Sequence, residues 1–179
     1  MEEKFIIDKI RSEETRDYGF NLLTREYQER IYWHVRKMVI DHEDANDLVQ
    51  DIFIKIWKNL SKFREDSKLY TWIYRIATNE TLNFLAKKKR KFFLPIHDVG
   101  SELTGKLDQG VLMDGDAIEM KLQKALLKLP EKQRLVFNMK YFDNMKFEEI
   151  AEITSTSVGA LKASYHHAVK KIEENLDQD

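Results

Sequence analysis

The chain has 179 residues, with 30 Lys and Arg against 31 Asp and Glu and a formal net charge of −1. Charge this evenly balanced excludes a protein that coats DNA by bulk electrostatics, so any nucleic-acid contact has to come from local patches. The absence of cysteine excludes disulfides, thiolate zinc sites and cysteine nucleophiles; with no signal-peptide core after Met1 and no apolar run approaching about 20 residues, a cytoplasmic protein without membrane insertion is expected.

The first periodic segment runs from Leu22 to Val39, where Leu23, Tyr27, Ile31, Val35 and Met38 recur at helical spacing. Asp41 and Asp44 then supply acidic caps for a second helix. In that helix Leu48, Val49, Ile52, Phe53, Ile56 and Trp57 form a broad apolar stripe that has to bury. The opposite face is of another kind: Asp47, Gln50, Asp51 and Ile54 fall at i, i+3, i+4 and i+7, so two carboxylates and an amide surround an apolar residue that points away from the core. Such a row is either a solvated face or a protein-binding one, and the outward Ile54 favours binding.

A polar loop from Ser61 to Lys68 leads into a third helix, with Ile73, Ile76, Ala77 and Phe84 as its expected core side. Trp72, Arg75, Asn79 and Asn83 share one face of that helix, and the run Lys87 to Lys91 follows. A ring can stack on an unpaired base, amides read base edges and clustered cations hold phosphates, so the segment is suited to single-stranded DNA. On residues alone a second reading stays open, in which Trp72 and Tyr74 pack in a core and the lysines end a helix.

Gly100, Gly105, Gly110 and Gly115 crowd one window behind Pro95, among the acids Asp98, Glu102, Asp108 and Asp114. That pattern predicts an anionic flexible linker over 93–115 between helical domains at 1–92 and 116–179. The second domain opens with Ile118, Leu122, Ala125 and Leu129 at helical spacing and stops at Pro130, placed as the first residue of the next helix. That helix carries Leu135, Val136 and Met139 to a turn at Asp143 and Asn144. A short amphipathic helix over 147–153, a turn of Thr154 to Ser157 and a longer helix from Val158 to about Leu176 are the parts of a helix-turn-helix.

Ala151 supplies the small residue where the two helices cross, and Ser155 stands where a left-handed turn residue is needed. Leu161, Tyr165, Ala168 and Ile172 continue the buried stripe, leaving Ser157, Gly159, Ala160, Lys162, Ala163, His166, His167 and Lys170 for the outer face. Small residues allow close approach and the lysines meet phosphates. No arginine lies on this helix, and bidentate arginine is the commonest guanine contact, so base reading there is expected to be weak. His166 and His167 have no acidic or cysteine partner at ligand spacing, so no metal is expected. No cofactor is expected either. A glycine-rich phosphate loop, a nucleophile with its base and a carboxylate–histidine cluster are all missing from the sequence, which argues against an enzyme. The fold expected is all-α, two small helical domains joined by a flexible linker, and a conventional helix-turn-helix regulator that binds duplex DNA without polymerase is the alternative function.

From about Glu14 to Leu176 the chain resembles the sigma-70 family, in the two-domain extracytoplasmic-function form that gives bacterial RNA polymerase its promoter choice. The resemblance rests on Asp47-Leu48-Val49-Gln50-Asp51-Ile52-Phe53 with Trp57, on Tyr70-Thr71-Trp72-Ile73-Tyr74-Arg75-Ile76-Ala77-Thr78-Asn79, and on Leu129-Pro130-Glu131-Lys132-Gln133-Arg134 ahead of the helix-turn-helix. It implies that Asp47, Gln50, Asp51 and Ile54 grip the clamp coiled coil of the largest polymerase subunit, and that the flap is a further contact. It implies that the loop with Ser67 and Lys68, and the helix with Tyr70, Thr71, Trp72, Arg75, Asn79, Asn83, Lys87 and Arg90, open the minus-10 element, Asn79 receiving a flipped base. The last helix would lie in the major groove of the minus-35 element, the acidic linker would thread the polymerase cleft, and an anti-sigma factor or a recruiting protein are the further partners such a chain implies.

Overall fold

In the computed structural model, residues 3–91 and 117–177 are described, with side chains over 3–90 and 120–177; the expected linker lies outside them. Eight α-helices make up the described fold: α1 Glu3–Arg11, α2 Arg16–Val39, α3 His42–Asn59, α4 Leu69–Lys91, α5 Ala117–Leu127, α6 Glu131–Tyr141, α7 Phe147–Thr154 and α8 Val158–Leu176. Among the described residues no helix is long and apolar enough to cross a membrane.

Two differences from the periodicity stand out. A short helix, α1, precedes the first expected one, and α2 begins at Arg16 rather than Leu22. The first turns of α2 are polar and carry Gly19, so no apolar repeat advertises them. Gly19 is needed for packing instead: a Cβ there would lie 2.7 Å from the backbone nitrogen of Ile10, so α1 crosses α2 at a distance only glycine allows. Ile6 and Ile10 seal the contact from the α1 side.

Helix α3 forms as its pattern requires. The Asp41 side chain caps it by accepting from the Asp44 N–H at 3.0 Å, and Leu48, Val49, Ile52, Phe53 and Ile56 are buried. The turn between α2 and α3 is strained. Ile40 has φ 67 and ψ −38, and the N–H of Asp41 donates to the Val39 carbonyl at 2.8 Å, which is the hydrogen bond of a γ-turn closed over a β-branched residue.

Helix α4 departs from its expected core side. Ile76 and Phe84 are only half-buried, while Leu69, Thr71, Tyr74, Thr78, Thr81 and Leu85 are buried beside Ile73 and Ala77. The cause is a second covered strip, because α4 packs on α2 and α3 and also against α7. One hydrophobic core accordingly runs through both halves, with Ile31, Val35, Ile52 and Ile73 joined to Leu135, Val136, Met139, Ile150, Ile153 and Leu161. A smaller core of Ala125, Leu126, Leu129, Phe137, Ala168 and Ile172 holds α5, α6 and α8 together. Pro130 stands one residue earlier than expected, as the N-cap of α6.

The junction between the halves is polar as well as apolar. His34, 1% exposed, bonds Thr78 Oγ1 at 3.0 Å and Asp143 Oδ2 at 3.2 Å, and Lys37 donates to the other Asp143 oxygen at 2.8 Å. Burial pushes the Asp143 pKa up, but His34 and then Lys37, by hydrogen bond and charge, outweigh it and hold the carboxyl below its ordinary value. Arg134 donates to the Met38 carbonyl at 3.1 Å; burial lowers its pKa to about 10 and Glu131 opposes that, so it stays a cation at neutral pH.

A group with a depressed folded pKa stabilises fully above the ordinary carboxylate value of about 4, and that contribution is lost as pH falls through the folded value. Asp143→Asn is therefore expected to lower stability by about 1–3 kcal/mol at neutral pH. Urea unfolding across pH should show a flatter acid limb for the variant, and an identical limb in both proteins would contradict the assignment.

Candidate polymerase and promoter interfaces

The outward face of α3 is fully available. Asp47, Gln50, Asp51 and Ile54 are all exposed, and Ile54, at 51%, is among the most exposed large apolar side chains described. Two concavities flank this ridge. One is lined by Arg25, Gln28, Glu29 and Tyr32 of α2 with Asn46, Val49 and Gln50 of α3. The other is apolar, with Ile54 at the rim of Phe20, Phe53 and Trp57, and the Arg16 guanidinium lies 4.9 Å from the Trp57 ring. The α2 contributions were missed by sequence reasoning because Arg25, Gln28 and Glu29 read as an ordinary solvated face until α3 is laid beside them.

The single-strand candidates on α4 separate into three groups. Asn79, Asn83, Lys87 and Arg90 are exposed at i, i+4, i+8 and i+11, so two amides and two cations do share one open face. The neighbouring cations are engaged elsewhere, Lys88 with Asp44 at 2.8 Å and Lys89 with Glu131 at 2.5 Å. The basic run thus divides between packing and solvent, with Lys88 and Lys89 held in ion pairs and Lys87 and Arg90 left exposed.

The second group sits at the start of the helix. Lys68 is exposed, Ser67 and Tyr70 are half-buried, and Trp72 is half-buried with its ring 5.3 Å from that of Phe63. Trp72 therefore anchors the loop Ser61 to Lys68 from the inner side. Tyr70 packs its ring 4.6 Å from Tyr74.

Thr71 and Arg75 do not lie on the open face. Thr71 is 2% exposed, because the strip of α4 that carries it is covered, and its hydroxyl has no route to a nucleic acid. Arg75 does not stand free beside Asn79; it reaches α7 and donates to the Glu152 carbonyl at 2.7 Å. The expected face of Trp72, Arg75, Asn79 and Asn83 is thereby shifted toward the C-terminal end of the helix.

The helix-turn-helix closes as the spacing requires. Glu149 accepts from the Lys146 N–H at 2.7 Å at the start of α7, Ser155 takes the left-handed conformation at φ 54 and ψ 40, and Ser157 caps α8 by accepting from the Ala160 N–H at 3.2 Å. Ile150 and Leu161 fill the wedge between the helices with 0% and 2% exposure. Ser157, Gly159, Ala160, Lys162, Ala163, His166, His167 and Lys170 are all exposed, and a Cβ built on Gly159 meets nothing within 4 Å. Lys170 has a loose partner in Glu174 at 3.9 Å, which leaves Lys162 as the freer cation of that face.

His34, Lys37, Asp143 and Arg134 form the junction that sequence reasoning overlooked. The signal was present in α2: His34 lies between Ile31 and Met38 on the side that has to bury, and a histidine there needs a polar partner.

Fold and surface together define a bipartite all-helical protein with a helix-turn-helix in its second half. The model described as Sigma-70 region 2 matches residues 23–91, and the one described as Sigma-70, region 4 matches residues 119–172. The ECF RNA polymerase sigma factor SigW of Bacillus subtilis (strain 168) is 33% identical over 158 residues, 84% of either chain. The RNA polymerase sigma-H factor of Pseudomonas aeruginosa is 31% identical over 169 residues, 88% of this chain and 86% of the relative. A solved structure of the sigma factor RpoE in complex with the anti-sigma factor NepR from Bartonella quintana shares the fold, with a TM-score of 0.68 at 22% identity over 89% of this chain and 98% of that one. The chain belongs to the sigma-70 family, in its extracytoplasmic-function branch, and is a sigma factor that directs RNA polymerase to promoters.

Proposed function

We propose that the work of a sigma factor is divided along this chain as follows. Residues 1–92 bind core polymerase through Asp47, Gln50, Asp51 and Ile54 and open the minus-10 element with the loop Ser61 to Lys68 and with α4. Residues 116–179 hold the minus-35 element on the outer face of α8, and the acidic stretch 93–115 joins the two through the polymerase. The observation that carries this reading is the pairing of two different exposed faces in one half: an acidic ridge with an apolar centre on α3 and an amide-and-cation row on α4. The ridge suits a basic helical partner, with charge setting orientation and Ile54 supplying a desolvated centre.

The row on α4 suits unpaired DNA. Asn79 and Asn83 can bond base edges, Lys87 and Arg90 can hold phosphates, and the cost of extruding a base, a few kcal/mol, is offset when a shaped site receives it. On α8 the small side chains let the helix approach the groove floor while Lys162 meets a phosphate, which yields affinity with modest base discrimination. An inhibitory protein partner is included in the proposal on one ground, that the similar RpoE chain was solved with an anti-sigma factor.

The test is reconstitution. Added to core polymerase, the protein is expected to co-purify with it and to render thymines near the start site reactive to permanganate on its own promoters. A conventional duplex-binding regulator would footprint DNA without polymerase and open nothing.

A further inference from the structure

Helix α1 lies before the matched region 23–91, and its two ends touch the segment assigned above to promoter opening. At its start, Glu3 Oε1 accepts from the Tyr70 N–H in the first turn of α4 at 2.7 Å, across 67 positions of sequence, and also from the Tyr27 hydroxyl at 3.3 Å. At its other end Arg11 forms an ion pair with Glu65, which holds a left-handed conformation at φ 61 within the loop Ser61 to Lys68. Helix α1 therefore runs antiparallel to the loop and is fastened at both ends.

The sequence explains why α4 needs an outside acceptor. The residue before its first turn is Lys68, whose ammonium can only donate, and the first turn of α4 has no acidic residue. One of the orphan N–H groups, that of Tyr70, and with it the positive end of the helix dipole, is met by a carboxylate brought in from α1. Delivery depends on Gly19, where α1 and α2 are in backbone contact. Each part is costly to the chain in freedom of sequence, and all of them converge on the loop and first turn that carry Ser67, Lys68 and Tyr70.

We propose that α1 is a brace for promoter opening, in which Glu3 and Arg11 are positioning residues that hold the start of α4 and the loop Ser61 to Lys68 in the geometry that receives unpaired bases. The inference rests on the assignment of that loop and helix to the minus-10 element. Neither residue touches DNA. Both act through the backbone they fix.

The experiment uses full-length variants reconstituted with core polymerase, scored for polymerase affinity and for permanganate-reactive thymines on a duplex promoter. Glu3→Ala is expected to leave polymerase affinity unchanged and to lower thymine reactivity by about fivefold, the fold-change equivalent to losing one helix cap. Glu3→Gln keeps an acceptor oxygen and is expected to recover most of the loss. Arg11→Glu sets two carboxylates against each other and should depress opening, while Arg11→Glu combined with Glu65→Arg restores the pair and should restore opening. That rescue is the readout a general loss of stability would not give, and the thermal midpoint of each variant is measured alongside. Parental reactivity for Glu3→Ala, or no recovery in the double exchange, overturns the brace. Asn79→Ala is run in parallel: if it too leaves opening unchanged, the assignment of α4 falls with the brace, whereas a loss for Asn79→Ala alone refutes only the brace.

Discussion

Exchange of Asp47 and Asp51 for lysine together is expected to abolish capture of core polymerase, lowering affinity by about 100-fold or more. The two carboxylates are one helical turn apart, both exposed, and both free of any role in the core that Leu48, Val49, Ile52 and Phe53 build beneath them. Reversing two charges at an interface that selects a basic partner replaces attraction by repulsion, which costs several kcal/mol, while surface changes of this kind alter folding by about 0.5 kcal/mol or less. Affinity measured by anisotropy of the labelled protein, with a urea melt as control, separates the two effects. Unchanged affinity in a folded variant would remove α3 from the polymerase interface.

The second large effect is expected at Asn79. Asn79→Ala should retain polymerase binding and reduce open complexes by about 10- to 100-fold, because a well-placed amide on a base edge is worth about 1–3 kcal/mol of discrimination. Asn79 is exposed on the row with Asn83, Lys87 and Arg90 and is outside the core, so folding has little to lose. Permanganate reactivity on the cognate promoter gives the answer. Thymines as reactive as with the parent protein would show that the base is received elsewhere.

Much of this was legible in the sequence where one physical rule acted alone. The stripe of α3 and its outward row follow from helical period, the cap at Asp41 from its side-chain oxygen, and the left-handed Ser155 from the geometry of the turn it occupies. The outer face of α8 was legible for the same reason, since a helix with one buried stripe has a predictable remainder. Helix α4 resisted because it is covered on two sides, and periodicity alone does not reveal the second. Thr71 and Arg75 fall outside the open face on that account, one buried and the other turned toward Glu152. Helix α1 was overlooked for another reason: Ile6 and Ile10 recur at helical spacing, but the helix has only nine residues, and the meaning of its packing partner Gly19 lies in a neighbouring backbone. The junction of His34, Lys37 and Asp143 joins positions more than a hundred residues apart, a distance over which no local pattern speaks.

The core shared by the two halves has a practical side. Any state in which α6 and α7 leave α2 and α4 wets Leu135, Val136, Met139 and Ile150 together with the isoleucines and valine they cover, and strands the Arg134 and His34 contacts at the same moment. A parted chain is therefore adhesive, prone to self-association at high concentration and short-lived unless another apolar surface is at hand. Preparations in which the halves are made to part should therefore be kept dilute.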